Sequence, residues 1–232
     1  VEAPQENGEG GGEGPDDLGP LLGGHHGLSR EQVLDSQRER LLAAMAHEVA
    51  AHGYRATTIT EVVRSASIST RDFYELFATK EECFLAAFDA VCDYLVGLIS
   101  ATAASVPDWP HQVIAAFRVA LDFFAVQPDL ARLCLLEAAS ATSTIAIRFR
   151  EAVLTCVPAL AQGRSELADP DSLLPDAESS IVGGAVSLAT RSVIAGQIER
   201  LPELLPDLVD FTLAPFLGAE RAAQLAADSS LA

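Results

Sequence analysis

An all-α fold is predicted by three observations on this chain of 232 residues. Apolar residues return at helical spacing over long stretches. Those stretches are punctuated by helix-start and helix-stop residues. The β-branched runs are short, and Pro and Gly fall between apolar blocks rather than at strand-and-turn intervals. With 49% apolar residues, a chain of this length can bury a sizeable core.

Residues 1–28 hold nine glycines, six acids and no basic residue. Too little apolar area is available there to offset the entropy of ordering, so a disordered tail is expected, without a basic and apolar leader. His25 and His26 lack the further ligands a zinc site needs and read as loop. Ser29 and Gln32 form a capping-box pair that opens the first helix. Val33, Leu34, Leu41, Leu42, Met45 and Val49 keep its period until Gly53 stops it. Thr58 with Glu61 opens a second helix, Ser69 with Asp72 a third, and Thr79 with Glu82 a fourth that runs to about Ala103. Helices two and three are so short that packing must hold them, and a long helix followed by two short ones is the helix-turn-helix arrangement.

Beyond Ala103, Asp108 caps a helix to Gln127, Pro128 starts one to Ala139, and Ser143 to Gly163 makes another with a kink expected at Pro158. Residues 164–176 read as a loop. Helices over Ala177–Glu199 and Leu201–Leu217 follow, then an amphipathic tail after Gly218. The domains expected are a tail at 1–28, a three-helix helix-turn-helix domain at 29–80 and a larger helical domain at 81–232. Cys83, Cys92, Cys134 and Cys156 lie in apolar helical stretches without CxxC spacing, which suits a reduced, cytoplasmic setting. The longest uncharged run, Tyr94 to Pro107, has 14 residues, short of a membrane span.

At residues 54–85 the segment Tyr-Arg-Ala-Thr-Thr-Ile-Thr-Glu-Val-Val through Ile-Ser-Thr-Arg-Asp-Phe-Tyr-Glu-Leu-Phe-Ala-Thr-Lys-Glu-Glu-Cys-Phe-Leu resembles the TetR family of bacterial transcription regulators. The GY/TT opening, the S-x-x-x-FY-x-x-F helix and the KE pair starting helix four carry the resemblance over about residues 36–90. One departure is Ser67, where the family usually has Gly; a positive φ there costs Ser about 1–2 kcal/mol.

In such a unit the second short helix enters the major groove with its N-terminal turn against base edges. Thr70 and Arg71 occupy that turn, and Arg71 can give two hydrogen bonds to a guanine. Tyr74, one turn on, can offer its hydroxyl to a phosphate, and Thr58 and Ser69 sit at helix N-termini that favour an anion. The resemblance adds Lys80 as a phosphate contact. Phe73 and Phe77 are expected in the core. One reading helix covers few base pairs, so a homodimer on a palindromic operator is expected, with Ile181, Ala185, Leu188, Val193 and Ile194 as its face and Gly183, Gly184 and Gly196 allowing close approach. The resemblance further implies a pocket for an unknown small-molecule effector. Trp109, Phe117, Phe124, Leu133, Leu136 and Phe149 are its candidate walls, and His111, Glu137 and Arg148 its candidate polar anchors.

No nucleophile elbow, P-loop, dinucleotide fingerprint or metal-ligand spacing occurs, so neither an enzyme nor a cofactor is expected. The alternatives to a repressor are an activator and an all-helical adaptor whose first domain binds protein. The formal charge of −18 opposes a polyanion, but it is uneven. Residues 1–35 carry eight acids and one Arg, 36–80 five acids and six bases, and 81–232 twenty acids and eight bases. The reader is the one segment that is not acidic. Deleting residues 1–28 is expected to raise affinity for a random duplex at low salt, measured by titration; an unchanged affinity would leave the tail a passive linker.

Overall fold

A computed structural model describes residues 30–230; the expected tail, its His25–His26 pair and the Ser29 cap lie outside the described residues. The elements are helical throughout, with no strand among the described residues. The first four are α1 (Arg30–His52), α2 (Ile59–Ser65), α3 (Thr70–Leu76) and α4 (Lys80–Ala103). On α1, Leu41, Met45 and Val49 recur every fourth residue and are fully buried. They meet Val62 from α2, Phe73 from α3 and Phe84 from α4, and this cluster fixes the two short helices. Burying a Phe completely is worth about 1.5–3 kcal/mol. Phe77 is also buried, whereas Ile68 is only partly so.

The caps expected at Thr58, Ser69, Thr79 and Asp108 are all formed, each side chain accepting the backbone N–H three residues on. After α5 (Trp109–Val126) and α6 (Pro128–Arg132), the helix continues as a π turn over Leu133–Glu137, with Ala138 N donating to Leu133 O at 3.0 Å. The expected helix over 143–163 is interrupted. It ends as α7 (Ser143–Leu154) and restarts as α8 (Val157–Ala161), because Pro158 has no N–H for Leu154 O and fits the first turn of a new helix instead.

The expected loop at 164–176 contains 3-10 turns over Gln162–Glu166 and Pro170–Ser172. Arg164 ties it down, donating from Nη1 to Pro170 O at 2.7 Å and from Nη2 to Leu174 O at 3.0 Å. The same guanidinium lies 2.5 Å from Glu178, whose buried carboxyl it holds below the usual carboxylate range.

Next, α9 (Ala177–Ile194) stops short of the expected Glu199, and a 3-10 turn (Ile198–Leu204) leads into α10 (Leu205–Leu217) and α11 (Ala219–Ser229). α10 pairs with α11 and also packs on α5. By length and hydropathy α4 could cross a bilayer, yet its Cys83, Phe84, Ala87 and Phe88 are core. Head and body share one continuous apolar cluster, from Leu41 through Phe88 to Leu133 and Leu213.

Two helices end in the same hydrogen-bonded motif. At α9, Gly196 N donates to Val193 O and Gln197 N to Ser192 O, with Gly196 at φ +71°. At α2, Ser67 N donates to Arg64 O and Ile68 N to Val63 O, with Ser67 at φ 54°. Gly196 is therefore a helix stop, and Ser67 holds a left-handed backbone that suits glycine. Ser67→Gly is expected to stabilise the chain by about 1 kcal/mol and Ser67→Ala not to. Thermal unfolding checks this, through an increase of about 2–4 °C for the Gly variant alone.

Candidate nucleic-acid interface

With Phe73 fully buried, Arg71 and Glu75 lie on the opposite, outward face of α3, and Thr70 and Tyr74 are exposed on its flanks. The Tyr74 side of that face is steadied by an edge contact between its ring and Phe73, 5.5 Å between centroids. Arg71 has 87% of its side chain exposed and donates from Nε to Glu75 Oε1 at 3.2 Å. That bond orients the guanidinium while leaving Nη1 and Nη2, the pair that can address guanine O6 and N7.

The two caps differ in what they leave free. Ser69 Oγ accepts from Asp72 N at 3.1 Å, so its own proton can be donated outward. Thr58 is locked in a reciprocal box: Glu61 Oε2 accepts from both its N and its Oγ1 at 2.8 Å. These bonds hold the Glu61 carboxyl below its ordinary range and place a negative charge where a phosphate would approach.

Lys80 sits elsewhere than on an open surface. Its ammonium donates to Tyr54 O at 2.7 Å and Thr57 O at 2.8 Å, and lies 4.2 Å from the Tyr54 ring centre. Burial lowers its affinity for the proton. Two of its three donors thus close the corner between α1 and α2, leaving one for the phosphate contact that the resemblance implies. Arg55 and Arg64 were not singled out in the sequence. Both are exposed and form no salt bridge among the described residues, although the charge of Arg64 acts on the nearby Glu61 carboxylate.

The residues expected to converge on one pocket are dispersed. Leu133 and Phe124 are core, Phe117 is packed against it, and Phe149 stacks obliquely on Phe88. Trp109 wedges against Gly163 and Phe216, donating from Nε1 to Ala159 O at 2.9 Å. His111 is bound to its own helix cap at Asp108, and Arg148 Nε lies 2.8 Å from Asp89. Glu137 reaches the reading unit, accepting from Tyr54 N at 2.8 Å. An open groove of about 520 Å³ lies instead between α1, α4, α5 and α6, walled by Leu42, Ala46, Val91, Tyr94, Phe123, Val126 and Leu130.

The residues of the expected dimer face differ in exposure within the chain. Ile181, Ala185 and Val193 are buried within the chain, Leu188 is half-buried, and Ile194 is 67% exposed. The outward stripe of α9 is Ser180, Gly183, Ser187, Arg191 and Ile194. Beside it, Phe211 of α10 is 42% exposed and lies over Gly184, where a Cβ would come within 2.7 Å of its ring. Of the cysteines, Cys83 and Cys134 are buried, and burial pushes the Cys83 thiol to about 12 and the Cys92 thiol to about 11. Cys156 is exposed as a residue, yet its thiol is also raised by the packing around it.

Residues 41–87 match the family described as bacterial regulatory proteins, tetR family. No curated protein matches the chain in sequence. Among solved structures, the fatty acid degradation regulator FadR from Bacillus halodurans is similar with a TM-score of 0.69 at 17% identity, covering 80% of this chain and 96% of that one. The transcriptional regulator FadR from Bacillus subtilis, in complex with stearoyl-CoA, gives 0.67 at 14% identity, covering 78% and 98%. A TetR family transcription regulator from Marinobacter aquaeolei VT8 gives 0.60 at 22% identity, covering 77% and 97%.

The free fork of Arg71 leads to a direct test. Arg71→Ala is expected to weaken binding to a selected DNA site by about 1–3 kcal/mol with little change on random duplex. Equal loss on both, measured by fluorescence anisotropy, would mean that Arg71 touches phosphate alone.

Proposed function

From the match of residues 41–87 to the tetR family of bacterial regulatory proteins, we propose that this chain is a sequence-specific DNA-binding regulator that works as a homodimer and answers to a small molecule. The observation that carries the reading is the outer face of α3, where Thr70, Arg71 and Tyr74 project from a helix pinned by fully buried Phe73. Residues 29–80 are the reader and residues 81–232 the dimer and effector body, with α4 passing from one to the other. Ser69 and the third donor of Lys80 serve the phosphates, joined by Arg55 and Arg64. A reduced cytoplasmic setting is where such a regulator meets DNA, and repression through a palindromic operator is its proposed mode. Catalysis has no part in this reading.

The dimer face proposed is the outward side of α9 and α10, where Ile194 and Phe211 supply exposed apolar area and Gly183 allows close approach. For the effector, stearoyl-CoA held by the Bacillus subtilis relative suggests a ligand with an apolar chain. The groove beside Tyr94, Phe123 and Val126 offers apolar walls of a size that small-molecule sites commonly have.

In-vitro selection from a random duplex library tests the reading. A palindromic consensus is expected, and Phe211→Asp should cut affinity for it at least about tenfold by separating the protomers, as a charge placed in an apolar interface is costly. Sedimentation of the same variant should give a monomer. No enrichment of any sequence would favour the protein-binding adaptor.

A further inference from the structure

The π turn at Leu133–Glu137 is bonded on two sides. Toward the bundle, the Thr190 hydroxyl of α9 lies 3.0 Å from Leu135 O and shares its proton with Val186 O at 2.9 Å. Toward the reader, Glu137 Oε2 accepts from Tyr54 N at 2.8 Å, and a Cβ on Gly53 would lie 3.6 Å from both carboxylate oxygens. A π turn adds one residue to the helical repeat and so re-aims the side chain at its end; such turns recur at functional sites. Here it delivers a carboxylate from the body to the chain just beyond α1, at the corner where the path to α2 begins.

That corner is the base of the reader. Gly53 has φ +79°, and Tyr54 is buried with its ring edge-on to Phe84 at 5.1 Å. The carbonyls of Tyr54 and Thr57 hold Lys80, the first residue of α4. Thus one residue, Tyr54, is gripped at its N–H by the body and at its carbonyl by α4. Further polar contacts cross the joint among the described residues, but those from α6 do not reach this turn. Arg132 Nε donates to Ala50 O within α1 at 2.9 Å, and His47 pairs with Asp129 at 2.9 Å on the surface.

We propose that Glu137 is a positioning residue for DNA reading, a strut that transmits the state of the α9 bundle through the π turn to the angle of α2 and α3. The inference rests on the DNA-reading function proposed above. An aliphatic residue at 137 would leave the head packed by its apolar core but without a directional bond to the body at this turn. A hydrogen bond to a carboxylate is worth enough for its loss to change local opening about tenfold.

The test uses the full chain with Glu137→Ala and Glu137→Gln, reading amide hydrogen exchange over residues 53–58 and affinity for the selected operator and for random duplex. In Glu137→Ala, exchange at the corner should accelerate about tenfold and operator affinity fall about tenfold, with random-duplex affinity and dimerisation unchanged. Glu137→Gln, whose amide oxygen can still accept the Tyr54 N–H, should stay within about threefold of the parent on both readouts. Should the Ala variant not fold, Glu137→Asp, one methylene shorter, takes its place. Faster exchange with parental operator affinity overturns the strut, as does a Gln variant that loses operator affinity as fully as Ala. If the parent chain itself selects no operator, the DNA reading fails instead, and the exchange data still decide whether Glu137 holds the corner.

Discussion

Everything the reading unit does depends on two seven-residue helices that cannot stand alone. A helix of two turns has barely begun to recover the cost of its nucleation. α2 and α3 persist because Val62 and Phe73 are driven into a slot made by Leu41, Met45, Val49 and Phe84. The same contact decides which way α3 faces. Once Phe73 is inside, helical geometry turns Arg71 and Glu75 to the far side, and Thr70 and Tyr74 are exposed on the flanks. The stability of α3 and the aim of its outer face are therefore two consequences of one buried ring.

The charge of the chain sets how such a face can work. Screening over about 8 Å at physiological salt keeps the acidic body from acting on DNA at a distance. Within that distance the balance is set by individual groups. Glu75 lies on Arg71 and Glu61 closes the Thr58 cap, so both carboxylates stand beside the surfaces a duplex would meet. Arg71 must exchange part of its attraction to Glu75 for a base, and a phosphate at α2 must approach past Glu61. Exposed pairs of this kind are worth a few tenths of a kcal/mol, small against a bidentate contact to the right base but comparable to a single loose phosphate contact. On a duplex, such local carboxylates would weigh more against loose phosphate contacts than against a bidentate base contact.

Much of the head was legible in the sequence because its signals are local. Capping pairs at Thr58, Ser69 and Thr79, the stop at Gly53 and the inward period of Phe73 and Phe77 all act within a few residues. Ser67 could be suspected of a positive φ for the same reason. The body was less legible because its decisive contacts are distant. The π turn differs from an α-helix by a single inserted residue, and nothing in Leu-Cys-Leu-Leu-Glu announces it. That one-residue shift carried Glu137 from an expected ligand anchor to the corner of the reader. Phe123 rather than Phe124 reaches the groove, a difference of one helical step that apolar spacing does not resolve. On α9 the apolar stripe of Ile181, Ala185 and Val193 was real, but it serves the chain's own core. Its outward stripe mixes Gly, Ser, Arg and Ile, and the exposed ring beside it, Phe211, is 27 positions beyond Gly184.

The joint between head and body combines two kinds of force with different roles. Apolar burial runs without a break from Leu41 to Leu213 and supplies most of the cohesion. Such burial scales with area and has little preference for angle, so it tolerates small rotations of one unit on the other. Hydrogen bonds weaken steeply when bent, and a handful of them cross the same joint. Glu137 to Tyr54, Arg132 to Ala50 and Lys80 to Tyr54 and Thr57 gather at the end of α1 and the turn that follows. Cohesion without angular preference, joined to a few directional bonds at one corner, makes a joint that stays closed while its angle is set by very few groups. That separation of duties lets the angle of α2 and α3 depend on a few groups while the core stays packed.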